Sequence, residues 1–398
     1  MTMAGGKNEQ TLHLEGPRQE DHARVLLVDA EYGRLEPALE KVINGLDLAS
    51  FLAGTRGKRV FIKPNMLGVF PPDRHAATNP ALVRAVVKLF RDAGAEVLVG
   101  DNCGAGSYGL NRKSAKVTGI EEAADGAYVN VAQDTVQVPL KTRFLDAIAV
   151  SRAMLTSDYL VSLPKLKTHS LTVVTGAVKN MFGLVAGAGK SLAHSSAPGN
   201  KDFGEMLAGI YSIRPPDLTI MDAVVAMEGN GPSAGKPRPL NKLLASQNAV
   251  ALDAVMCRIM DFPPEEVHHL RVAARKGWGP LAPEAIELIG ELPQTPRFKL
   301  PVTFHRLSCL GRFVNEKFYT WLTNSKLTLD TKRCQKCKIC VTACPSGAMK
   351  MDDFPRIEED KCIRCLCCHE LCPESAWTTR GFFGQFMLRG RMGLWKSE

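Results

Sequence analysis

The sequence predicts an α/β protein, a mostly parallel sheet flanked by helices, followed by a small cysteine-rich α+β module. Three observations predict it. From residue 23 to about 296, short apolar runs alternate with stretches of helical periodicity, the pattern of strands joined by crossover helices. Polar residues and glycines gather just after several of these runs, where parallel sheets place their ligands. Nine of the twelve cysteines lie between Cys334 and Cys372 in a repeated spacing.

The elements follow in chain order. Residues 1–22 are polar and lack the apolar core of a secretory signal, so they read as a flexible leader of a cytoplasmic protein. Residues 23–296 form the α/β domain. Its strand candidates are 24–28, 59–62, 96–99, 128–131, 159–163, 218–221 and 242–245. Its helix candidates include 80–93, 249–260 and 264–276. Thr78-Asn79-Pro80 is a helix entry, with a capping side chain followed by proline at the first helical position. Residues 297–327 mix Phe304, Phe313, Phe318, Tyr319 and Trp321 with basic residues and read as an amphipathic connector. Residues 328–376 are the cysteine module, and 377–398 an aromatic and basic tail. Peripheral membrane contact is one use for the connector or tail; packing on the protein itself is the favoured one.

Composition narrows the class. A hydrophobic fraction of 45% and a charged fraction of 23% are those of an ordinary globular chain, and no apolar run approaches the length of a membrane span. The net charge of +9 is spread, with +3 from Leu327 onward and +6 before it. This mild excess suits anionic substrates or an acidic partner. It lacks the dense basic stripe of a nucleic-acid binder.

The cysteines carry the sharpest signal. Cys334, Cys337, Cys340 and Cys344-Pro345 are matched 28 residues later by Cys362, Cys365, Cys368 and Cys372-Pro373. Each half is the bacterial ferredoxin run, so this is a double-cluster ferredoxin-like domain for two [4Fe–4S] clusters. Three thiolates at three-residue intervals wrap one corner of a cubane, and the fourth reaches the other cubane. Cys334, Cys337, Cys340 and Cys372 therefore form one ligand set; Cys362, Cys365, Cys368 and Cys344 form the other. Structural zinc prefers two CxxC pairs around one ion and fits this spacing badly. Cys367 falls outside the register and reads as a small buried hydrophobe. Its neighbour His369 could tune a cluster or relay a proton; the favoured reading is a surface or hydrogen-bonded residue.

A second constellation follows the run 159–163. Lys165, Lys167, His169, Lys179, Asn180, Lys190 and His194 fall within thirty residues, with Gly176, Gly183, Gly187 and Gly189 among them. Cations and glycines together suit a carboxylate or phosphate. The alternative is a solvated loop with scattered lysines. Lys63 and Asn65 follow one strand candidate and Asp101 another, so a parallel sheet would bring them to the same edge. Two nucleotide motifs fail. Gly189-Lys190-Ser191 lacks the P-loop glycine, since Leu184 stands there, and Gly104-x-Gly106-x-x-Gly109 is set apart from its strand by Asp101-Asn102-Cys103.

These residues resemble the domain-of-unknown-function 362 family, many of whose members end in a double-cluster ferredoxin module. The matching pieces are Ile62-Lys63-Pro64-Asn65, Gly100-Asp101, Pro164-Lys165-Leu166-Lys167-Thr168-His169, Lys179-Asn180 with Gly183, Lys190 with His194, the step from Ser246 to Asp253, and the second cysteine loop with Cys367. The resemblance implies the two-part architecture and no particular substrate.

Two functions follow as expectations. The first is a reductase. Lys165, Lys167, Lys179 and Lys190 would hold a small anionic organic substrate, with Lys63, Asn65, Asp101 and Asn180 in support. His169 or His194 would supply protons, and the clusters would deliver single electrons. The second is an electron carrier or docking subunit for a partner oxidoreductase, working with a protein electron donor or acceptor. A scaffold for cluster assembly is a third, weaker reading, because the cysteine sets look complete.

Overall fold

The computed structural model describes residues 11–14, 16–104, 108–294, 297–301 and 326–380. Residues 1–10, most of the expected connector and the tail from residue 381 lie outside the described residues.

In chain order the strands are β1 (Ala23–Asp29), β2 (Arg59–Pro64), β3 (Glu96–Val99), β4 (Thr135–Pro139), β5 (Ala147–Ser151), β6 (Tyr159–Leu163), β7 (Lys165–His169), β8 (Val173–Val174), β9 (Leu218–Glu228), β10 (Lys236–Ser246) and β11 (Ile286–Ile289). In the module they are β12 (Lys326–Leu329), β13 (Met349–Met351), β14 (Pro355–Ile357) and β15 (Trp377–Arg380). The main sheet runs β11-β1-β10-β9-β6-β2-β3, with β7 on β9 and β8 on β7. It is mostly parallel; β10 runs antiparallel to both β1 and β9, and β8 to β7.

Alternation along each strand sends side chains to two cores. Val25, Leu27 and Phe61 face one, with the helices Asn200–Tyr211 and Ala249–Ile259. Leu26, Val28, Val60 and Ile62 face the other, with Glu36–Gly45 and Pro80–Asp92. The helix entries work through side chains. Asn79 accepts a hydrogen bond from Ala81 N at 2.9 Å and Asn248 one from Ala251 N at 2.9 Å, each satisfying an otherwise orphan N–H.

Several expected elements differ. The 128–131 run makes a single bridge from Tyr128 to Val99 and then turns. The 264–276 segment is a 3-10 turn, Pro264–Glu266, and a separate helix, His268–Arg275, because Val267 between them is extended. The strand expected at 242–245 begins at Lys236, and its register shifts between Pro239 and Lys242, where proline cannot donate to the ladder. The residues after Leu163 are not a loop. Pro164 ends β6, and β7 follows at once, fully buried.

No described helix is long and apolar enough to cross a membrane.

Candidate functional site

β7 explains why the first cations converge. A strand repeats every two residues, so Lys167 and His169 share one face, while a register shift between Lys165 and Lys167 separates Lys165 from them. The next two elements add more. The helix Gly176–Asn180 carries Lys179 and Asn180. On the helix Gly187–Ser196, Lys190 and His194 stand four apart on one face. β2 and β3 end alongside and contribute Lys63, Asn65 and Asp101.

Asn65, Asp101, Lys167, His169, Lys179, Asn180, Lys190 and His194 line one cleft. Lys63 lies beneath it, fully buried. Its ammonium is 2.7 Å from Asp101 Oδ1 and donates to Asn180 Oδ1 at 3.2 Å. Asp101 Oδ2 accepts from Met66 N at 2.9 Å, so the floor is a closed polar network.

Lys165 is placed elsewhere. It is not among the residues lining the cleft. It donates to Asp222 Oδ2 at 2.8 Å and to the Tyr32 hydroxyl at 2.9 Å, with no solvent exposure of either charged side chain. The pairing of Lys165 with Asp222 across β7 and β9 sets this. Two residues along the strand are enough to carry the ammonium away from the cleft.

The cations that do line the cleft differ in occupation. Lys167 donates to Asn65 Oδ1 at 2.7 Å and to Ala76 O. Lys190 donates to the carbonyls of Asn102 and Cys103 and lies 5.2 Å above the Phe182 ring. Lys179 is nine-tenths buried and makes no hydrogen bond or ion pair with any described residue. Burial pulls its ammonium down to about 8, and nearby Glu370 partly offsets this. Burial likewise brings Lys190 to about 8.

Both histidines are neutral at pH 7. Burial, with Lys179 beside it, lowers His169 to about 4. His194 falls to about 4 for the same first reason, in a stack 4.1 Å from Phe203. The tautomer of His169 follows from its partners. Nδ1 accepts from Leu171 N at 3.1 Å and Thr172 N at 3.3 Å, so Nε2 carries the proton and faces Glu370 Oε1 at 3.2 Å. Burial alone would raise the Glu370 carboxyl, but His169 and Lys179 hold it below its ordinary value.

Glu370 belongs to the cysteine module. Cys367, Glu370 and Leu371 form one wall of the cleft. The module is seated by more than that. Leu371 packs where a Cβ on Gly104 would stand, 2.2 Å from Cδ2, which gives the first glycine of the discounted Gly104-x-Gly106 pattern a packing role. Arg74 donates to Ser375 Oγ at 2.9 Å.

Within the module the duplication extends to the backbone. Left-handed residues fall at Lys336, Lys338 and Gly347 and again, 28 positions on, at Arg364, Leu366 and Ser375. The short helices Ile339–Thr342 and Cys367–Glu370 match in the same way. Alternating left-handed residues turn successive N–H groups inward, the concave arrangement that suits an anionic cluster. Cys344, Cys362, Cys365 and Cys368 line one cavity, with Cys367 at its edge as well as in the cleft. Burial, and then the nearby Cys337, Cys372 and Cys334, raise the Cys340 thiol, so these four thiols are neighbours too. Both sets fit [4Fe–4S] ligation; among the described residues no three His, Cys, Asp or Glu are placed to hold a single ion.

Sequence reasoning gave no role to Asp222, nor to Glu370 and Asp253, although these two fall in segments that resemble the family. Asp253 accepts from Ala177 N at 2.6 Å and Val178 N at 2.9 Å, fixing the helix that carries Lys179. None of the three sits in a motif whose local spacing announces its partner.

Gly183 tests the packing of the floor. A Cβ there would stand 1.9 Å from Asp101 Oδ1 and 2.5 Å from Lys63 Nζ. Gly183→Ala should cost about 1–3 kcal/mol, the usual range for overpacking, read from the urea midpoint. An unchanged midpoint would show that the ion pair yields freely.

Comparison with known proteins adds to the geometry. Residues 60–258 match the family described as "Domain of unknown function (DUF362)", and residues 326–373 match the 4Fe-4S dicluster domain. A thylakoid-associated protein of Synechocystis sp. is 32% identical over 267 residues, covering 62% of this chain and 79% of that protein. The lactate racemase apoprotein from Thermoanaerobacterium thermosaccharolyticum aligns in structure with a TM-score of 0.38 and 13% identity, over 66% of this chain and 60% of that chain.

Proposed function

The chain belongs to the DUF362 family and ends in a 4Fe-4S dicluster domain, and from that premise we propose that it is an iron–sulfur reductase acting on a small anionic organic molecule held in the cleft. The observation that carries this reading is the wall made by Cys367, Glu370 and Leu371. Residues of the redox module close a lysine-lined cleft of the other domain, which a mere carrier does not need.

In this reading Cys334, Cys337, Cys340 and Cys372 hold one cluster, and Cys362, Cys365, Cys368 and Cys344 hold the other. The two clusters, when bound, supply electrons one at a time. The second set lies beside the cleft, because Cys367 borders both its cavity and the cleft.

The chain's own residues do the rest. Lys179 holds the anion, since its ammonium makes no hydrogen bond or ion pair with a described residue. Its depressed pKa also makes it the proton source. A group titrating near 8 gives up a proton at neutral pH more readily than an ordinary lysine. The neutral imidazoles of His169 and His194 have no such proton to give, so they shape the cleft instead. His169 holds Glu370 in place, and Lys190 braces the loop from Asn102 to Cys103. Reduction of a double bond would then consume two electrons and two protons, one from Lys179 and one from water.

The test is a ligand screen. Protein reconstituted anaerobically and reduced with viologen is mixed with small carboxylates and phosphates, and cluster absorbance is followed. One class of anion should reoxidise the clusters repeatedly. Reoxidation by a protein acceptor, with every small anion inert, would replace this reading by the electron carrier.

A further inference from the structure

The two cysteine loops share a backbone but differ in exposure. In the second loop, Leu366, Cys367 and His369 are buried and Leu371 packs on Gly104. The residues 28 positions earlier are Lys338, Ile339, Val341 and Ala343, of which Ala343 is buried against Cys367 and Leu371 and Ile339 and Val341 are half-buried. Lys338 is exposed, and so are Lys332, Arg333, Lys336 and the ligand candidate Cys337. Lys336 is held 4.3 Å over the Phe354 ring. None of these four cations forms an ion pair with a described residue. The first loop therefore carries an exposed ligand candidate flanked in sequence by four exposed cations with no ion pair to a described residue, while the second loop borders the cleft.

We infer that the face around Cys337 is the docking site of an acidic one-electron carrier protein, which loads the first cluster through a loop that does not line the cleft. This rests on the cluster assignment and the reductase direction proposed above. One electron leaves the carrier, which is oxidised, and reduces the first cluster; no bond or proton moves. Charge complementarity argues for the partner. Opposite potentials speed encounter by about 10–1,000-fold at low salt, and four unpaired cations flanking one thiolate in the chain suit this.

The probe is a reduced acidic [2Fe–2S] ferredoxin, mixed in stopped flow with the full-length, cluster-loaded protein while cluster absorbance is followed. The wild-type rate should fall about tenfold or more between low and high salt, as screening predicts. K336E/K338E should slow reduction at low salt by about tenfold or more and flatten the salt dependence. K116E, on the helix Tyr108–Val117 of the α/β domain, should behave as wild type. Reduction by the methyl viologen radical cation should not slow in any variant. K332E and R333E, just outside the cysteine spacing, carry the same test at about threefold each if the double variant assembles fewer clusters. A wild-type rate in the charge-reversed variants, or one indifferent to salt, overturns the inference. So does loss of binding to phosphatidylglycerol vesicles with ferredoxin reduction unchanged, which would assign the face to a membrane. Because no small substrate is present, failure of the cleft reading leaves this result unaffected.

Discussion

Lys179→Gln should weaken binding of the anion found by the screen by about 10–150-fold while leaving the iron–sulfur absorbance intact. The range follows from the roughly 1.5–3 kcal/mol carried by a hydrogen bond to a charged group, at 1.4 kcal/mol per factor of ten. Lys179 is the cleft cation that makes no hydrogen bond or ion pair with a described residue. Glutamine keeps most of the length and the polarity and loses the charge. The pH dependence separates charge from shape. Protonated lysine binds the anion, so wild-type affinity should be level below about pH 8, where the group titrates in the free protein, and should fall as pH rises past it. A bound anion favours the charged form and moves that fall upward. The glutamine variant should show no such limb. Equal affinity in the two proteins, measured by calorimetry, would remove Lys179 from the site.

The convergence on Lys179 was partly legible in the sequence, for a reason of geometry. Parallel strands end on one edge, so Asn65 after β2 and Asp101 after β3 meet Lys167 and His169 without being near them in the chain. The cysteine repeat was legible because each ligand's position is set by local spacing, and the backbone repeats with the same 28-residue offset. Lys165 shows what was not legible. A run Pro-Lys-Leu-Lys-Thr-His reads as a polar loop, since alternating cations rarely fill a buried strand. Only the pairing with β9, whose Asp222 stands 57 positions later, makes a buried lysine tolerable there. Glu370 is similar. Its place between two cysteines says nothing of the histidine two hundred residues earlier that it faces.

That buried pair supplies the largest stability effect expected of a single substitution. Asp222 is fully buried. Its Oδ2 accepts from Lys165 Nζ and, at 2.9 Å, from Asn79 N; its Oδ1 accepts from the Tyr32 hydroxyl at 2.9 Å. Asp222→Ala removes both acceptor oxygens, stranding these three donors and Val224 N, and leaves Lys165 without a counter-charge. Breaking one side of a buried pair costs about 3–5 kcal/mol, so the urea midpoint should drop accordingly. Lys165→Met combined with Asp222→Leu should lose less than Asp222→Ala alone, because it removes the stranded charge as well as its partner. The pH response gives the sign. Burial already pulls Lys165 below its ordinary value, and without Asp222 it folds neutral. The unfolded chain then binds the extra proton, so the stability of Asp222→Ala should rise as pH is raised from 7 toward 10. The double variant lacks the lysine and should not share that rise. A single variant that loses less than about 1 kcal/mol would mean that water solvates Lys165 in place of the carboxylate.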